Sequence, residues 1–568
     1  MNLLRYLALL ASSATVFVDG RVLFRRADDV CKPEDRTYST EAMPPANFMG
    51  GDNINPLVGK LGKKFYIAIV NLTPDRFYLQ GTHSYQMDTF EFGHVPQGRA
   101  RQNTVKYRGT LHTKDDAGEV YYRIERTTRN FVVRVKSQGS SSDSRRVIMD
   151  LTGMGLGQRE YVFPSGETSV TLVITGSENL GYLASIRHGP GNWMKTSYSV
   201  IHDRPVRHLI MPGTHNAGMS KITGKITSIG SEHNTQNQGI NIYDQLRTGA
   251  RWFDLRVASI HPNSDQSKIN GFWTMHVNNE TAPLVIGNTG ESFDDVISEV
   301  NRFTFENPGE IIFFTLRYLL GRYELPDRGP ILWDDKMLES FFAKLRTINN
   351  RCGNLSTSTG FQNQKASYFM NQNDGKGCVL LLLNGQHIDE AESPADGIYN
   401  VGRIDYDDHW SEMEEAADIA TDQITNWRSK TRGGKSDHGR LMIAQWIASP
   451  DALASTAYGL QRFAIQPTNP ALYFAGVNGM DPEHWPNVLL VDYIGVQEKD
   501  EWAWEKLSAE IYTLTVGLNL YMASENCDLA TLDLGAAPLP HFNAITILRQ
   551  PLRYVFLMLE YISLPSIH

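Results

Sequence analysis

The apolar runs of this 568-residue chain change their rhythm near residue 200, and that change limits the folds open to it. Before it, short strand-like runs are separated by turns alone. After it, strand-like runs alternate with helical patterns, which is typical of parallel sheets with helical crossovers. Eight such runs can be counted: 208–211, 250–257, 272–277, 310–319, 378–383, 397–406, 441–447 and 487–494.

Helical stripes fill several of the gaps between these runs. Ser292 precedes a stripe at 293–303, and others cover 337–348, 410–427 and 502–516. No helix is evident between the second and third runs. The pattern predicts an α/β domain over 196–523, a TIM-type (β/α)8 barrel that is irregular in places. Reactive side chains in that fold gather at the carboxyl ends of the strands.

Residues 60–195 carry strand patterns without a helical stripe. Their apolar runs lie at 65–70, 120–125, 131–136, 147–151 and 170–175. Turn-rich segments such as 139–144 separate the runs, and this predicts an all-β sandwich. Histidines and carboxylates are scattered across it, so we expect an accessory packing or binding domain.

The two ends of the chain indicate an exported protein. Residues 1–20 are predicted to be a signal peptide, because Arg5 precedes an apolar stretch that ends in small residues. Residues 21–59 would then be a propeptide or linker, and 524–568 a C-terminal extension. We expect a secreted or extracellular protein, at the cell wall or membrane surface. The triplets suited to N-glycosylation begin at Asn71, Asn279 and Asn354.

The cysteine content and the net charge limit the kinds of metal and binding partner that we expect for this chain. The four cysteines fit one or two disulfides, with Cys352–Cys378 the favoured pair and Cys31–Cys527 a second. None has the spacing of zinc ligands. The net charge of -9 argues against a nucleic-acid partner, although a local patch could still dock a lipid headgroup.

Three polar side chains stand where a barrel places its reactive groups. His215 follows the first run in a Pro-Gly-Thr-His-Asn turn, Arg256 ends the second, and His276 ends the third. Phosphodiester cleavage requires a base, an acid and a cation for the phosphate. A lone histidine is usually structural, so the shared position at strand ends is what favours catalysis.

Further polar residues surround this set. Asp254 alternates with Arg256 on one side of a strand, and either orients a catalytic group or forms a structural salt bridge. Asp492 ends the eighth run, which lies beside the first in a closed barrel, so it is predicted to hold the His215 imidazole. The remaining candidates, expected to bind polar groups of the substrate, are Arg317, Asp405 and Tyr406.

Four ordered motifs give the chain a resemblance to a known family. They are Pro212-Gly-Thr-His-Asn-Ala-Gly218, Gly249-Ala-Arg-Trp-Phe-Asp-Leu-Arg256, Met275-His-Val277 and Asn307-Pro-Gly-Glu-Ile-Ile-Phe-Phe-Thr-Leu316. Together they resemble the X-domain of phosphatidylinositol-specific phospholipase C, clearly over about 205–320 and more loosely to about 500. The resemblance implies the barrel and suggests a secreted, fungal-like member of the bacterial, metal-independent type.

The resemblance also implies roles. His215 would take the proton of the inositol 2-hydroxyl, and His276 would protonate the departing diacylglycerol oxygen, leaving an inositol cyclic phosphate. Arg256 matches the arginine of bacterial-type members, where metal-dependent members carry a carboxylate, so neither calcium nor another cofactor is expected. Arg317 stands where bacterial members carry a lysine. Asn216 departs from the bacterial aspartate, matches a metal-binding asparagine of the other type, and is a substrate-binding candidate here.

The leading prediction is therefore a phospholipase C that acts on phosphatidylinositol or glycosyl-phosphatidylinositol (GPI) lipids at a membrane surface. A metal-dependent phosphodiesterase of the glycerophosphodiester or sphingomyelinase D type is an alternative, and Arg256 counts against it because a second carboxylate is missing there. A catalytically silent lipid- or glycan-binding protein on the same scaffold is a third, against which both histidines argue.

Overall fold

The computed structural model of this protein describes eleven stretches of the chain. They are residues 38–48, 64–108, 116–137, 145–163, 168–226, 230–278, 287–325, 329–385, 391–430, 438–499 and 504–521. The predicted signal peptide, the C-terminal extension, Asn279, and the proposed Cys31–Cys527 pair lie outside the described residues. So does most of the predicted linker.

The first region consists of ten strands in two sheets. The strands are β1 Lys64–Leu72, β2 Phe77–Tyr85, β3 Met87–Glu91, β4 Arg99–Tyr107, β5 Ala117–Ile124, β6 Asn130–Ser137, β7 Arg145–Asp150, β8 Gln158–Phe163, β9 Ser169–Ser177 and β10 Gly181–Ala184. The first sheet has the order β10-β9-β1-β4-β3, and the second has the order β2-β5-β6-β7-β8.

The first sheet is buried on both faces at its central strands β1 and β9. Successive side chains of β1 point to opposite faces of the sheet. Ile67 and Ile69 therefore join a hydrophobic cluster with the second sheet. Ala68, Val70 and Leu72 join the core of the following region. This explains why β1 reads as a nearly continuous apolar run. The two sheets and the region after them therefore form one packed body.

The second region contributes thirteen strands. They are β11 Met211–Thr214, β12 Trp252–His261, β13 Gly271–Val277, β14 Gly287–Ser292, β15 Glu310–Tyr323, β16 Ile331–Leu332, β17 Gly377–Asn384, β18 Ile398–Asn400, β19 Tyr406–His409, β20 Leu441–Trp446, β21 Val488–Val491, β22 Val496–Glu498 and β23 Trp504–Lys506.

Its helices vary widely in length. The longer ones are Ile242–Arg247, Phe293–Glu306, Asp335–Leu345, Ala416–Arg428, Ala452–Tyr458 and Glu510–Tyr521. The shorter ones are Trp193–Thr196, Tyr198–Ile201, Glu232–Thr235, Ala366–Met370, Gln372–Gly375, Leu460–Phe463, Asn469–Ala471 and Val477–Gly479. Wider π turns, Ala464–Thr468 and Leu472–Gly476, link the last of these.

Parallel pairing produces a barrel-like sheet. Its order is β18-β17-β15-β12-β11-β21-β20-β19, and every neighbouring pair in it is parallel. Within the described residues, no ladder joins β18 to β19, so the barrel is interrupted there. The pairing of β21 with β11 places the last strand of the barrel beside the first.

Two of the eight predicted barrel strands are corrected. The run 272–277 is β13, which pairs antiparallel with β12 and β14 and lies off the parallel path. Its burial alternates, whereas strands covered on both faces are buried throughout. The run 397–406 is interrupted by the turn Val401–Arg403 and yields β18 and the start of β19. The described residues therefore contain eight parallel strands, as predicted, but β18 and β19 take the places of the runs 272–277 and 397–406.

Several local predictions can be checked directly. Ser292 caps its helix by accepting a hydrogen bond from the Asp295 amide, and Cys352–Cys378 is a disulfide, as predicted. The third stripe forms a helix only from Ala416 onward. Asn71 is fully buried and bonded to backbone carbonyls, so its glycosylation is not compatible with the fold. Among the described residues, no helix is long and apolar enough to cross a bilayer.

Candidate active site

His215 lies just after β11 and has both ring nitrogens engaged. Nδ1 is 2.8 Å from Oδ1 of Asp492, and Nε2 is 2.8 Å from Nη2 of Arg256. A guanidinium can only donate, so Nε2 is the acceptor and Nδ1 carries the proton given to Asp492. This hydrogen bonding selects the tautomer that a general base requires.

Asp492 follows β21 and is almost fully buried. The Asn237 side-chain amide donates to the same carboxylate oxygen at 3.2 Å, and Asn216 donates to Asn237 Oδ1 at 3.0 Å. Asn216 adopts a left-handed backbone (φ 45°), a conformation that asparagine tolerates better than most residues. Asn237, which Asn216 holds in turn, fixes the carboxylate behind His215.

Asp254 on β12 is a buried carboxylate between two arginines. Its Oδ2 accepts from Arg256 Nε and from the Asn216 amide at 3.3 Å each, and Arg317 Nη1 is 3.7 Å from Oδ1. Burial would raise its pKa, but Arg256, Arg317 and His215 together lower the pKa to about 2. Asp254 is therefore charged at neutral pH and orients both guanidiniums.

His276 lies on β13, in the hairpin that adds to β12. Its Nδ1 bonds the Thr235 carbonyl at 3.1 Å, which leaves Nε2 as the nitrogen able to serve a substrate. Burial lowers the pKa of His276, and the nearby charge of Arg256 lowers it further, to about 3. Arg256 therefore influences both histidines, because it donates to His215 and its charge lowers the pKa of His276.

Arg317 on β15 also faces a carboxylate that the sequence pattern did not single out. Its Nη1 is 4.0 Å from Oδ2 of Asp408 on β19, and Gln445 of β20 donates to the other oxygen of Asp408. Burial raises the pKa of Asp408. Asp408 was missed because the run 397–406 placed the strand end at Tyr406, two residues too early.

The other predicted site residues do not all lie at the candidate site. Asp405 precedes β19, at the amino-terminal edge of the sheet opposite the catalytic groups, where it pairs with Arg440, so grouping it with the site was wrong. Tyr406 points into the barrel, with its ring against Trp252 and its hydroxyl accepting from Asn384. Asn216 is 1% exposed and bonded inward, so its predicted contact with the substrate is also corrected. Asn237 had no periodic or motif signal.

An apolar rim borders the site, formed by the loops that follow β19 and β20. Trp410 is 52% exposed and Leu453 is 79% exposed, and Met413 and Tyr458 on the same two segments are also exposed. The Trp410 indole donates to Ser449 at 2.9 Å, which joins the two loops. We call these four residues the rim patch.

Hydrogen bonds connect the rim patch to His276 of the candidate site. His233 Nδ1 bonds the Thr456 carbonyl of helix Ala452–Tyr458 at 3.0 Å. His233 belongs to the short helix that ends at Thr235, whose carbonyl holds His276.

Over the described ranges, no group of three or more His, Cys, Asp or Glu residues could hold a metal ion.

Comparison with known proteins agrees with the sequence motifs. No family model matches the chain. A PI-PLC X-box domain-containing protein of Dictyostelium discoideum is 24% identical over 170 residues, covering 28% of this chain and 20% of that protein. A PI-PLC X domain-containing protein of the same organism is 34% identical over 79 residues, covering 12% of this chain and 14% of that protein. The chain thus spans a fifth or less of these relatives' length.

Solved structures add two further similarities. A point variant of the phosphatidylinositol-specific phospholipase C of Staphylococcus aureus aligns at 13% identity and a TM-score of 0.39. A second structure, from work on membrane binding by the same enzyme, aligns at 12% identity and a TM-score of 0.34. Each covers 57% of this chain and 97% of its own. The curated sequence matches confirm that this chain resembles the PI-PLC X-domain proteins.

Proposed function

We propose that this protein is a secreted phospholipase C that cleaves the phosphodiester of phosphatidylinositol or GPI lipids. The observation that carries the proposal is the series Asp492–His215–Arg256 at the carboxyl edge of the barrel, with His276 near enough to feel the charge of the same arginine. The names of the curated relatives point to the same class of enzyme.

Arg256 gives the site a built-in resting state. In the free protein its guanidinium occupies the Nε2 lone pair that a general base would use. A phosphate is a stronger acceptor for a guanidinium than a neutral imidazole, so a bound phosphodiester would draw Arg256 away. The lone pair of His215 would then be released toward the attacking hydroxyl, and the base would become available only when the substrate is present.

The proposed reaction balances with two proton transfers. The inositol 2-hydroxyl gives its proton to His215 Nε2, and its oxygen bonds to phosphorus. The bond between phosphorus and the diacylglycerol oxygen breaks, and His276 protonates that oxygen. The products are diacylglycerol and an inositol cyclic phosphate. Asp492 stabilises the imidazolium that forms on His215.

His276 must be protonated to serve as the acid, although its pKa is low in the free site. One cause of that low pKa is the positive charge of Arg256. A phosphate anion bound beside Arg256 would offset this charge and raise the pKa of His276. The acid is thus expected to charge only when the substrate is bound.

The pair Arg317 and Asp408 suits a polyol headgroup. A sugar hydroxyl both donates and accepts, and it meets a fixed donor and a fixed acceptor here within 4.0 Å of each other. We propose that these two residues bind inositol hydroxyls, with Asp254 holding Arg317 in place.

The surface supports a peripheral membrane protein. Tryptophan, tyrosine, methionine and leucine of the rim patch could enter the interfacial layer of a bilayer. Secretion is supported by the Cys352–Cys378 disulfide, because such bonds persist in oxidising compartments. The two N-terminal sheets are proposed to be an accessory β-sandwich that braces the barrel.

The test is phosphorus NMR of the purified protein with phosphatidylinositol vesicles, with and without EDTA. We expect a cyclic phosphate that persists in EDTA and is lost in His215→Ala. The matched control is His202→Ala, which removes a histidine on the amino-terminal side of β11 and should retain turnover. Turnover that stops in EDTA would overturn the metal-free mechanism and favour the metal-dependent phosphodiesterase. Vesicle binding without turnover of any phosphodiester would support the silent binding protein instead.

A further inference from the structure

We propose that Glu291 is a positioning residue, which holds the loop that carries His215 against the hairpin that carries His276. This inference rests on the proposed function, because it requires both histidines to act on one substrate. The two lie on separate segments: His215 begins the loop after β11, and His276 is on β13. Something must therefore set the spacing between the base and the acid.

Glu291 joins the two segments at two points. It lies near the end of β14, the partner strand of β13. Its backbone amide donates to the Gly218 carbonyl at 2.8 Å, and its side chain accepts a hydrogen bond from the Ser220 hydroxyl. The side chain is completely buried, and none of the ion pairs among the described residues involves it.

The surrounding contacts are tight and leave little room for adjustment. Thr274 of β13 donates to the same Gly218 carbonyl at 2.9 Å. A Cβ atom at Gly290 would lie 2.3 Å from that carbonyl oxygen, so the backbones of loop and hairpin touch there. Thr223 further along the loop donates to the Gly290 carbonyl at 2.8 Å. These contacts fasten the loop 215–223 to the hairpin of β13 and β14, and we call this contact region the seam. Glu291 is an ionisable group in the seam.

The charges around Glu291 make the fastening sensitive to pH. The groups that face it are Ser220 and Lys221 of the loop, and Asp295 and Glu299 of helix Phe293–Glu306. Lys221 is already paired with Asp295 at 2.9 Å. Burial, and next to it the charge of Glu299, raise the pKa of Glu291 to about 8. The carboxyl is neutral at pH 7, and above pH 8 an ionised side chain repels Glu299 and loosens the seam.

Two variants separate charge from contact. Glu291→Gln keeps the size and stays neutral, so kcat at pH 7 should remain within about threefold, and the fall in kcat above pH 8 should be smaller than in the wild type, with only the deprotonation of His276 left to cause it. Glu291→Ala removes the contact, and a misplacement of about 1 Å typically costs on the order of 100-fold in kcat. KM should change by less than about threefold, because Arg256 and Arg317 are left in place.

A second measurement does not depend on turnover. In protein labelled with carbon-13 histidine, the ring signals of His215 and His276 are followed from pH 6 to 9.5. We expect an inflection near pH 8 in the wild type that is absent in Glu291→Gln. Glu310→Gln, which alters another buried carboxyl at the opposite end of the barrel, is the matched control and should keep the inflection.

The two assays distinguish the failures. An inflection that survives in Glu291→Gln, or a folded Glu291→Ala with wild-type kcat, would overturn the positioning role. An inflection that depends on Glu291 in a protein that cleaves no phosphodiester would support the seam and refute the proposed function. Circular dichroism and thermal melting establish that each variant is folded before either result is used.

Discussion

The buried carboxylate of Asp254 offers the sharpest stability prediction. It is charged between Arg256 and Arg317, and its lowered pKa means that folding favours the ionised form. Asp254→Asn keeps the shape of the side chain and removes the charge. The variant should therefore lose, at neutral pH, the stabilisation that the two arginines give to this carboxylate.

The magnitude follows from the pKa shift. A fall from 3.8 to about 2 in the folded protein corresponds to about 2 kcal/mol, at about 1.4 kcal/mol for each unit of pKa. Since the folded pKa is the lower one, this stabilisation is complete above pH 4 and is lost as the pH falls through about 2. The difference between wild type and Asp254→Asn should follow the same course.

Urea unfolding of both proteins from pH 7 down to pH 2.5 measures this difference. We expect about 2 kcal/mol at pH 7 and a clear decrease below pH 4. The control is Asp405→Asn, the same substitution in an exposed ion pair at the other edge of the sheet, for which we expect less than about 1 kcal/mol. A difference that does not vary between pH 6 and pH 2.5 would refute the argument.

Two further predictions concern function. Asp492→Asn should leave His215 in the wrong tautomer and lower kcat by about 10²- to 10⁴-fold, measured by phosphorus NMR with phosphatidylinositol; a change below about threefold would contradict the role of the carboxylate. Leu453→Ser should weaken sedimentation with phosphatidylinositol vesicles by several-fold, whereas Phe305→Ser, equally exposed on the amino-terminal side of the barrel, should not; equal losses would remove the rim patch from membrane binding.

The parts of the fold that were predicted correctly depend on local pattern. The runs Ile311–Phe314 of β15 and Val379–Leu383 of β17 are continuously apolar because both faces of these strands are covered, and the sequence displays that directly. The proximity of Asp492 to His215 was anticipated because the last strand of a barrel lies beside the first. The hairpin strand β13 misled the count because a short apolar run looks the same in either setting, and only its alternating burial distinguishes it.

The remaining residues of the candidate site could not be predicted, because the residues that they contact lie far away in the sequence. Asn237 contacts Asp492 across 255 positions, and a single asparagine in a loop carries no periodicity to indicate this. Asp408 was obscured by a strand boundary that depends on a three-residue turn. Glu291 resembled one more polar residue before a helix cap, because its burial arises only when the His215 loop folds over it.

The double burial of the first N-terminal sheet has a consequence for how the molecule holds together. Helix Glu510–Tyr521 is apolar around nearly its whole circumference because it lies between β9 and the barrel. Removing residues 64–184 would strip one wall from this helix and expose the outer side of the barrel to water. The two regions therefore share one core, and we expect a shortened chain that begins at the barrel to expose an apolar flank and to aggregate.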